Sequence, residues 1–408
     1  MAENTKERII QAAFSFYRTP LFREISLSEI AEKVGITKAA IFKHFKNKEA
    51  LSNALREKVY ADISVVLCEM QEKYNNLQGD EALPLVIEFI SKHQEYMNYI
   101  LSTLEEVSED SFVLQLKKYG ITLLNNIYND DGTIKDLGEY FQSVFISTTM
   151  FVFVIIRQNI NEITCLGEDE RSLKEFSHNL TRLICSGING KDARISVLRL
   201  TEIDSICVKS LEGLKEIDRV LLAIAKVVSK SGFSKITIDK VAKELGMAKS
   251  SLYTWFANKN EMVKTLIQGE INQLYTIMAE NMQKMQTSGE RLYVMLQTVL
   301  AYLTNRPELL DVAKWLQMSD VELIDNSEKQ NEIMDFFAKQ EILTNLPDLG
   351  FGEMGNNLVK FSIGWFFALP VMLLIHGRAH SFSAQILQAA MKDMYFMVQF
   401  GVNNASKT

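Results

Sequence analysis

Two stretches of the chain, 211 residues apart, carry the same sequence pattern. The first is ISLSEIAEKVGITKAAIFKHFKNK, ending at Lys48, and the second is ITIDKVAKELGMAKSSLYTWFANK, ending at Lys259. Aligned without a gap over residues 8–55 and 219–266, the copies share eleven identities and match in apolar character at most other inward positions. A repeat of this length constrains the fold strongly, because each copy must form the same structural unit.

The residue order in each copy predicts helix, turn, helix. In the first copy Ser26 is placed to cap a helix whose N3 residue is Glu29, which is a capping box. Gly35 supplies the C-terminal break, since a residue without Cβ adopts positive φ readily. Thr37 is placed to cap a second short helix, Lys38–Phe45, and Asn47 caps a third helix. A short basic helix held across a tight glycine turn is typical of helices that enter the DNA major groove.

These residues resemble the tetracycline-repressor (TetR) type regulators. The resemblance rests on Phe22 before the first capped helix, then GITKAAIFKHFKNKEAL, and on SGFSKITI followed by GMAKSSLYTWFANKNEM in the second copy. It departs from the family at Pro20-Leu21, where a glycine is usual, whereas the second copy keeps Gly232. The motif covers some fifty residues twice. An ordinary helical hairpin in a bundle is the alternative, which the repeated context disfavours.

Charge is divided unevenly along the chain. The net charge of the 408 residues is −7, yet residues 1–60 carry +4 and residues 211–270 carry +3, which leaves −14 on the remainder. Two basic footprints on an acidic body suit a protein that contacts DNA at two places and repels it elsewhere. A modest positive excess is also common on inert surfaces, so the charge supports the motif without standing alone.

The fold class predicted is all-α, with two tandem TetR-like units. Five prolines, 19 glycines and 47% apolar residues favour long buried helices. Each unit is predicted to contain a three-helix DNA-binding head, closed in the first copy by Glu7–Tyr17, and a helical ligand-binding and dimerisation body. The predicted domains are 1–50 (first helix-turn-helix head), 51–190 (first body), 191–214 (connecting strap, helical or strand-like), 215–261 (second head) and 262–408 (second body).

Long helices with few breakers are predicted for both bodies. The first body is predicted to contain Leu51–Asn75, Ala82–Leu104, Phe112–Tyr128, Leu137–Gln158 and Glu170–Ser186. The second is predicted to contain Glu261–Gln286, Glu290–Thr304, Glu308–Met318, Glu328–Leu343, Asn356–His376 and Ser383–Phe400. The apolar runs Val144–Ile156 and Phe361–Ile375 are shorter than the ~18–20 residues of a membrane span, and we expect buried helices there. The chain start carries no signal-like segment, so we expect a cytoplasmic protein without a membrane partner.

The resemblance implies that the last two body helices form a four-helix dimer interface. Because two protomers are joined here, we expect a monomer arranged as an intramolecular pseudo-dimer, with further dimerisation possible. Its partner would be a double-stranded DNA operator that is asymmetric, since the outward residues of the two heads differ. The predicted DNA contacts are Ser26, Thr37, Lys38, Ala39, Phe42, Lys43, His44 and Lys48 in the first head, and Thr237, Lys249, Ser250, Ser251, Tyr253, Thr254, Trp255 and Lys259 in the second.

Two alternatives remain open. In the first alternative, one head has lost DNA binding and only supports the structure. The presence of Ala248 in place of a capping residue is one indication of this. Otherwise the chain is a ligand-binding or scaffold protein in which one or both heads no longer recognise DNA. The resemblance implies a repressor that a small molecule bound in the body releases from DNA. The methionine-rich second body suits an apolar or amphipathic effector, although ordinary core packing explains any single methionine.

Enzymatic or metal chemistry finds little support in the sequence. His376 and His380 are four residues apart, but Gly377 and a predicted helix end place them in a loop without a third ligand. Four cysteines show no C-x-x-C spacing, which indicates neither zinc nor a disulfide framework. Neither a phosphate-binding loop nor a nucleophile motif is apparent. We therefore expect no enzyme activity, no metal and no cofactor.

Overall fold

The described part of the chain is helical in the computed structural model. It comprises residues 2–18, 25–74, 81–103, 109–164, 169–231, 236–310, 335–342 and 355–405, with the single positions 312, 332, 346 and 349. Among these residues there is no strand, and an isolated antiparallel bridge joins Tyr128 to Ile134. The all-α prediction is confirmed.

The helices of the first half are α1 Ala2–Ser15, α2 Leu27–Val34, α3 Lys38–Phe42, α4 Lys48–Tyr74, α5 Leu83–Lys92, α6 Gln94–Thr103, α7 Glu109–Lys118, α8 Leu137–Thr164 and α9 Glu170–Ser186. Those of the second half are α10 Val197–Lys209, α11 Arg219–Ser231, α12 Ile238–Leu245, α13 Lys249–Tyr253, α14 Lys259–Gln283, α15 Ser288–Thr304, α16 Gly355–Ala379 and α17 Ala384–Phe400, with a 3-10 turn at Pro307–Leu309. Most of the predicted helix Glu308–Met318 lies outside the described residues, as do Pro20-Leu21 and Gly232. Of the predicted helix Glu328–Leu343, residues 335–338 are helical and residues 339–342 form a turn.

The chain divides into two compact units. Unit 1 contains Met1–Tyr140 and Glu168–His178, and unit 2 contains Phe141–Gly167 and Asn179–Thr408. The division falls within α8 and α9, so unit 2 contains parts of both sequence halves. The predicted boundaries of the five domains stay predictions.

Unit 1 encloses the first head in a continuous apolar core. Ile9, Ala13 and Phe14 of α1 are buried against residues from α2, α3 and α4. The guanidinium of Arg8 donates a 2.8 Å hydrogen bond to the carbonyl of Val34, which ties α1 to the end of α2. Because apolar burial is the main stabilising term, this core fixes the short helices that have little intrinsic stability of their own.

Two helix predictions in the first body were wrong. The predicted helix Ala82–Leu104 is broken at His93 (φ −124°, ψ 50°), whose ring stacks on Tyr96 at 5.0 Å between ring centroids. The predicted helix Phe112–Tyr128 ends early, because Gly120 adopts φ +79°. There the amide of Ile121 donates to the carbonyl of Leu116 at 3.3 Å, which closes a Schellman-type turn.

Unit 2 is built around α15, whose side chains are almost all buried. The connecting strap contains α10, which docks on α15 through polar contacts as well as apolar ones. The Arg199 guanidinium forms a two-pronged ion pair with Glu290, with Nε–Oε1 at 2.9 Å and a second hydrogen bond at 3.1 Å. The Tyr293 hydroxyl donates to Asp204 at 2.8 Å, and burial raises the pKa of both groups. The strap is therefore an ordered part of unit 2.

A reciprocal set of backbone hydrogen bonds joins the C-terminal ends of α9 and α17, from amides just after each helix to carbonyls in the last turn of the other. The amide of Ile188 donates to Val398 at 2.9 Å, and the amide of Val402 donates to Ile184 at 3.0 Å. The pairs Asn189–Gln399 and Asn403–Cys185 repeat this exchange at 2.7 and 3.3 Å. Each donor or acceptor in the first half corresponds to one in the second half by the same shift of 214 positions. Each half therefore donates to the other the same hydrogen bonds that it accepts. Such reciprocity defines an isologous interface.

Glycines permit this close approach. Gly187 (φ +67°) and Gly401 (φ +73°) are related by the same shift of 214 positions. A Cβ at Gly187 would lie 2.5 Å from the backbone of Gln399, and a Cβ at Gly401 would lie 2.2 Å from the backbone of Cys185. Both positions therefore need a residue that has no side chain and tolerates positive φ.

Apolar packing between α8 and α16 extends the interface. The indole N–H of Trp365 donates to the Thr149 hydroxyl at 3.0 Å, and both residues are fully buried. The ring of Trp365 also lies 5.4 Å from that of Phe153, centroid to centroid. Both apolar runs predicted to be buried helices are helical. By length and composition the segments Leu137–Ile160 and Ser362–Ala379 would suffice to cross a membrane, and 61% of each is buried inside the protein.

Candidate nucleic-acid interface

The turn between α2 and α3 has the predicted geometry. The amide of Glu29 donates to the Ser26 hydroxyl at 3.2 Å, and the Glu29 carboxylate accepts from the Ser26 amide at 2.9 Å, which confirms the capping box. Gly35 ends α2 with φ +76°, and the Ile36 amide returns to the carbonyl of Ala31 at 2.9 Å. Thr37 then caps α3 by accepting from the Ala40 amide at 3.2 Å.

The second head repeats this turn with one cap missing. Thr237 caps α12 at 3.2 Å, Gly246 ends it with φ +67°, and the Met247 amide returns to Ala242 at 2.9 Å. Ala248 precedes α13 without a side-chain hydrogen bond, as its sequence predicts. Asn258 caps α14 by accepting from the Glu261 amide at 2.9 Å. The two heads thus share a backbone geometry and differ in how the recognition helix begins.

The first head exposes the side chains predicted to contact DNA, with one exception. Around α3, Lys38, Ala39 and Lys43 are exposed and 46% of Phe42 is exposed, while His44 is half-buried. Thr37 and Ser26 are exposed, and their hydroxyls already accept the capping hydrogen bonds. Exposed Lys48 begins α4, where the Asn47 carboxamide accepts from the Ala50 amide at 2.7 Å. Short α3 is anchored by Ile41, which is fully buried.

The second head presents a different surface. Around α13, Lys249, Ser250 and Thr254 are exposed, as are 48% of Tyr253 and 56% of Trp255. Ser251 is half-buried, and its carbonyl accepts from the Thr254 hydroxyl at 2.6 Å. Thr237 is exposed and occupied as a cap. Lys259 begins α14, and its side chain lies outside the described residues.

One functional candidate escaped the sequence analysis. Asp239, in the first turn of α12, forms an ion pair with Lys249 at 2.9 and 3.1 Å from the two carboxylate oxygens to Nζ. The hydrogen bond and charge of Asp239 raise the pKa of Lys249. The sequence does contain a signal for this residue, because the two copies differ there: the first head has Ser28 at the position that matches Asp239.

The predicted loop around His376 was wrong. His376 and Gly377 lie in the last turn of α16, which ends at Ala379. A Cβ at position 377 would lie 2.6 Å from a terminal methyl group of Leu387, which would have to move to make room for it. Within the described part of the chain, no group of three or more His, Cys, Asp or Glu side chains is arranged to hold a metal ion.

Comparisons with known proteins found one family model and several relatives. The family model described as "Bacterial regulatory proteins, tetR family" matches residues 9–55 and 220–266. The fatty acid metabolism regulator protein of Bacillus subtilis (strain 168) is 26% identical over 117 residues, which is 28% of this chain and 59% of that protein. The nucleoid occlusion factor SlmA of Haemophilus influenzae (strains PittGG and Rd) is 25% identical over 114 residues, 28% of this chain and 50% of the relative.

The matched regions and the geometry agree. The chain spans between half and three-fifths of the length of these curated relatives. Both family matches fall on the segments that form the capped helix, glycine turn and recognition helix described above. Both heads therefore match the model of the tetR family of bacterial regulatory proteins, and the chain carries two copies of this helix-turn-helix head in one polypeptide.

Proposed function

We propose that the protein is a sequence-specific DNA-binding transcriptional regulator that recognises an asymmetric operator. The observation that carries the proposal is the pair of matching helix-turn-helix heads with unlike exposed side chains. Lys and Ser or Thr side chains suit base edges in the major groove. The hydroxyl of Tyr253 and the ammonium groups of Lys48 and Lys259 suit the phosphate backbone.

A single chain would supply both heads. The reciprocal hydrogen bonds around Gly187 and Gly401 support an intramolecular pseudo-dimer, because they occupy the surface that two protomers would otherwise share. Dimers of helix-turn-helix proteins place their recognition helices about one DNA turn apart, roughly 34–36 Å, and so recognise palindromes. Two unlike heads fused in one chain would instead recognise two unlike half-sites.

We propose repression, with release by an apolar or amphipathic small molecule bound in a helical body, for a cytoplasmic protein. A regulator bound to its operator most simply represses transcription by keeping RNA polymerase off that DNA. The name of the relative that regulates fatty acid metabolism fits an apolar effector. The methionines Met278, Met282, Met285 and Met295 in the second body are all buried, which also suits plain core packing. Three further apolar residues of the second body, Trp315, Met318 and Met334, lie outside the described residues.

Substitution of the lysines that begin α4 and α14 tests DNA binding. Each of Lys48→Ala and Lys259→Ala should weaken binding across sequences and reduce the steepness of the salt dependence by about 0.9, the contribution of one phosphate contact. The matched control is Lys174→Ala, which removes the same charge from α9, outside both heads. A chain that acts only as a ligand-binding protein or scaffold would respond equally to all three substitutions. If one head only supports the structure, only the other head's lysine should matter.

A further inference from the structure

The two recognition helices begin with the same residue in different electrostatic surroundings. Lys38 and Lys249 occupy matching positions of the repeat, and both are exposed. Lys249 is held by the Asp239 carboxylate at 2.9 Å. Within the described part of the chain, no carboxylate lies in ion-pair range of Lys38. The position of the first head that matches Asp239 is occupied by the neutral Ser28.

The ion pair adds little to the stability of the second head. Half of the Lys249 side chain and 63% of the Asp239 side chain are exposed, and exposed ion pairs contribute little net free energy. The α12–α13 turn is already fixed by the Thr237 cap and the left-handed Gly246. The effect of Asp239 is therefore on the charge of the exposed surface of the second head.

Two neighbouring side chains hold the Lys249 ammonium in place. The ammonium lies 5.7 Å from the ring centroid of Tyr253 in addition to its contact with Asp239. An ammonium has three N–H donors, so Lys249 keeps the carboxylate while it donates to a neutral base acceptor. A phosphate in the same place would lie close to the Asp239 carboxylate, and like charges repel.

We propose that Asp239 is a specificity-determining residue of the second head, which lowers its attraction for DNA of any sequence while leaving Lys249 able to contact a base edge. The first head, whose Lys38 has no carboxylate partner among the described residues, then supplies more of the sequence-independent attraction. This inference rests on the proposed DNA binding of both heads. The two heads then contribute differently to DNA binding, although they share one backbone geometry.

Exchange of the matching residues between the copies tests the proposal on the full-length chain. Asp239→Ser gives the second head the residue of the first, and Ser28→Asp does the reverse. Affinity for a random-sequence duplex and for the selected operator is measured by fluorescence anisotropy between 50 and 200 mM salt. Glu244→Gln is the matched control, because Glu244 also lies on α12 but pairs with Lys230 at 2.9 Å.

For Asp239→Ser we expect the affinity for random DNA to rise about five- to tenfold at 50 mM salt. This gain should shrink about 3.5-fold by 200 mM, as one added phosphate contact requires. The operator affinity should rise less, so the ratio of specific to random affinity falls. Ser28→Asp should lower the affinity for random DNA and make the salt dependence shallower.

The control separates a local effect from a general one. Equal gains for Asp239→Ser and Glu244→Gln would overturn the inference, since net charge alone would then explain them. An unchanged affinity and salt slope for Asp239→Ser would overturn it as well. Both outcomes leave the proposed function intact if the unaltered chain binds its operator. An unaltered chain that binds no DNA at low salt would refute the proposed function itself, and the inference with it.

Discussion

Replacement of Gly401 by alanine perturbs the reciprocal interface at its closest approach. The residue has φ +73° and ψ 168°, a backbone conformation that is essentially restricted to glycine. An added Cβ would lie 2.2 Å from the carbonyl carbon and oxygen of Cys185, far inside the 3.4 Å at which ordinary contact begins. Relief of the overlap requires that one backbone segment moves by more than an ångström.

The cost has two parts. Strain of an L-residue at positive φ contributes about 1–2 kcal/mol. The displacement also weakens the neighbouring hydrogen bonds from Val402 to Ile184 and from Asn403 to Cys185, each worth roughly 1 kcal/mol. The free energy of unfolding should therefore fall by about 3–4 kcal/mol. Gly187→Ala, at the matching position, should cause a loss of similar size.

Gly213 provides the matched control for strain alone. It has φ +80°, and a Cβ added there would meet nothing within 4 Å. Urea unfolding of Gly213→Ala should show only the strain contribution of about 1–2 kcal/mol. If Gly401→Ala and Gly187→Ala lose no more stability than Gly213→Ala, the two copies do not pack as described. The double variant should lose less than the sum of the single losses, because both substitutions disrupt one contact.

Three further predictions follow from single contacts. Ala248→Thr should stabilise the second head by about 1 kcal/mol in urea unfolding, since it restores the missing cap; an unchanged midpoint would contradict this. Arg199→Met should cost roughly 1–3 kcal/mol at pH 7. The hydrogen bonds from Arg199 lower the pKa of the Glu290 carboxyl. The stabilisation is therefore present above about pH 4.3 and is lost on acidification. A difference in stability between the variant and the unaltered chain that grows at low pH would contradict this. Burial raises the pKa of the Cys207 thiol to about 12. Mass spectrometry after alkylation at pH 8 should therefore show label on half-buried Cys68 well before Cys207, and the reverse order would be contradictory.

The head geometry was predictable because its signals are local. Ser26 with Glu29, Gly35, and Thr37 each determine one hydrogen bond or one positive φ within a few residues, and the structure has all of them. The break at His93 carries no such signal, since apolar periodicity continues on both sides and only the packing of its ring distinguishes the site. The early end of α7 did carry one, because Lys117 and Lys118 followed by Gly120 is an ordinary helix stop.

Long-range contacts were beyond the sequence for a different reason. The need for glycine at positions 187 and 401 arises only when two segments 214 residues apart meet, and neither segment indicates this alone. The Asp239–Lys249 ion pair likewise depends on the turn that brings α12 and α13 together. The docking of α10 on α15 through Arg199 and Glu290 joins residues 91 positions apart. Such pairs follow from tertiary packing, which local patterns do not encode.

Selection of bound sequences from a random DNA pool by the purified full-length chain tests the proposed pseudo-dimer most directly. The number of chains bound per selected duplex is then measured by analytical ultracentrifugation. A covalent pseudo-dimer should select a site with two unlike halves, about one helical turn apart, that holds one chain. A site with two identical inverted halves that holds two chains would contradict it.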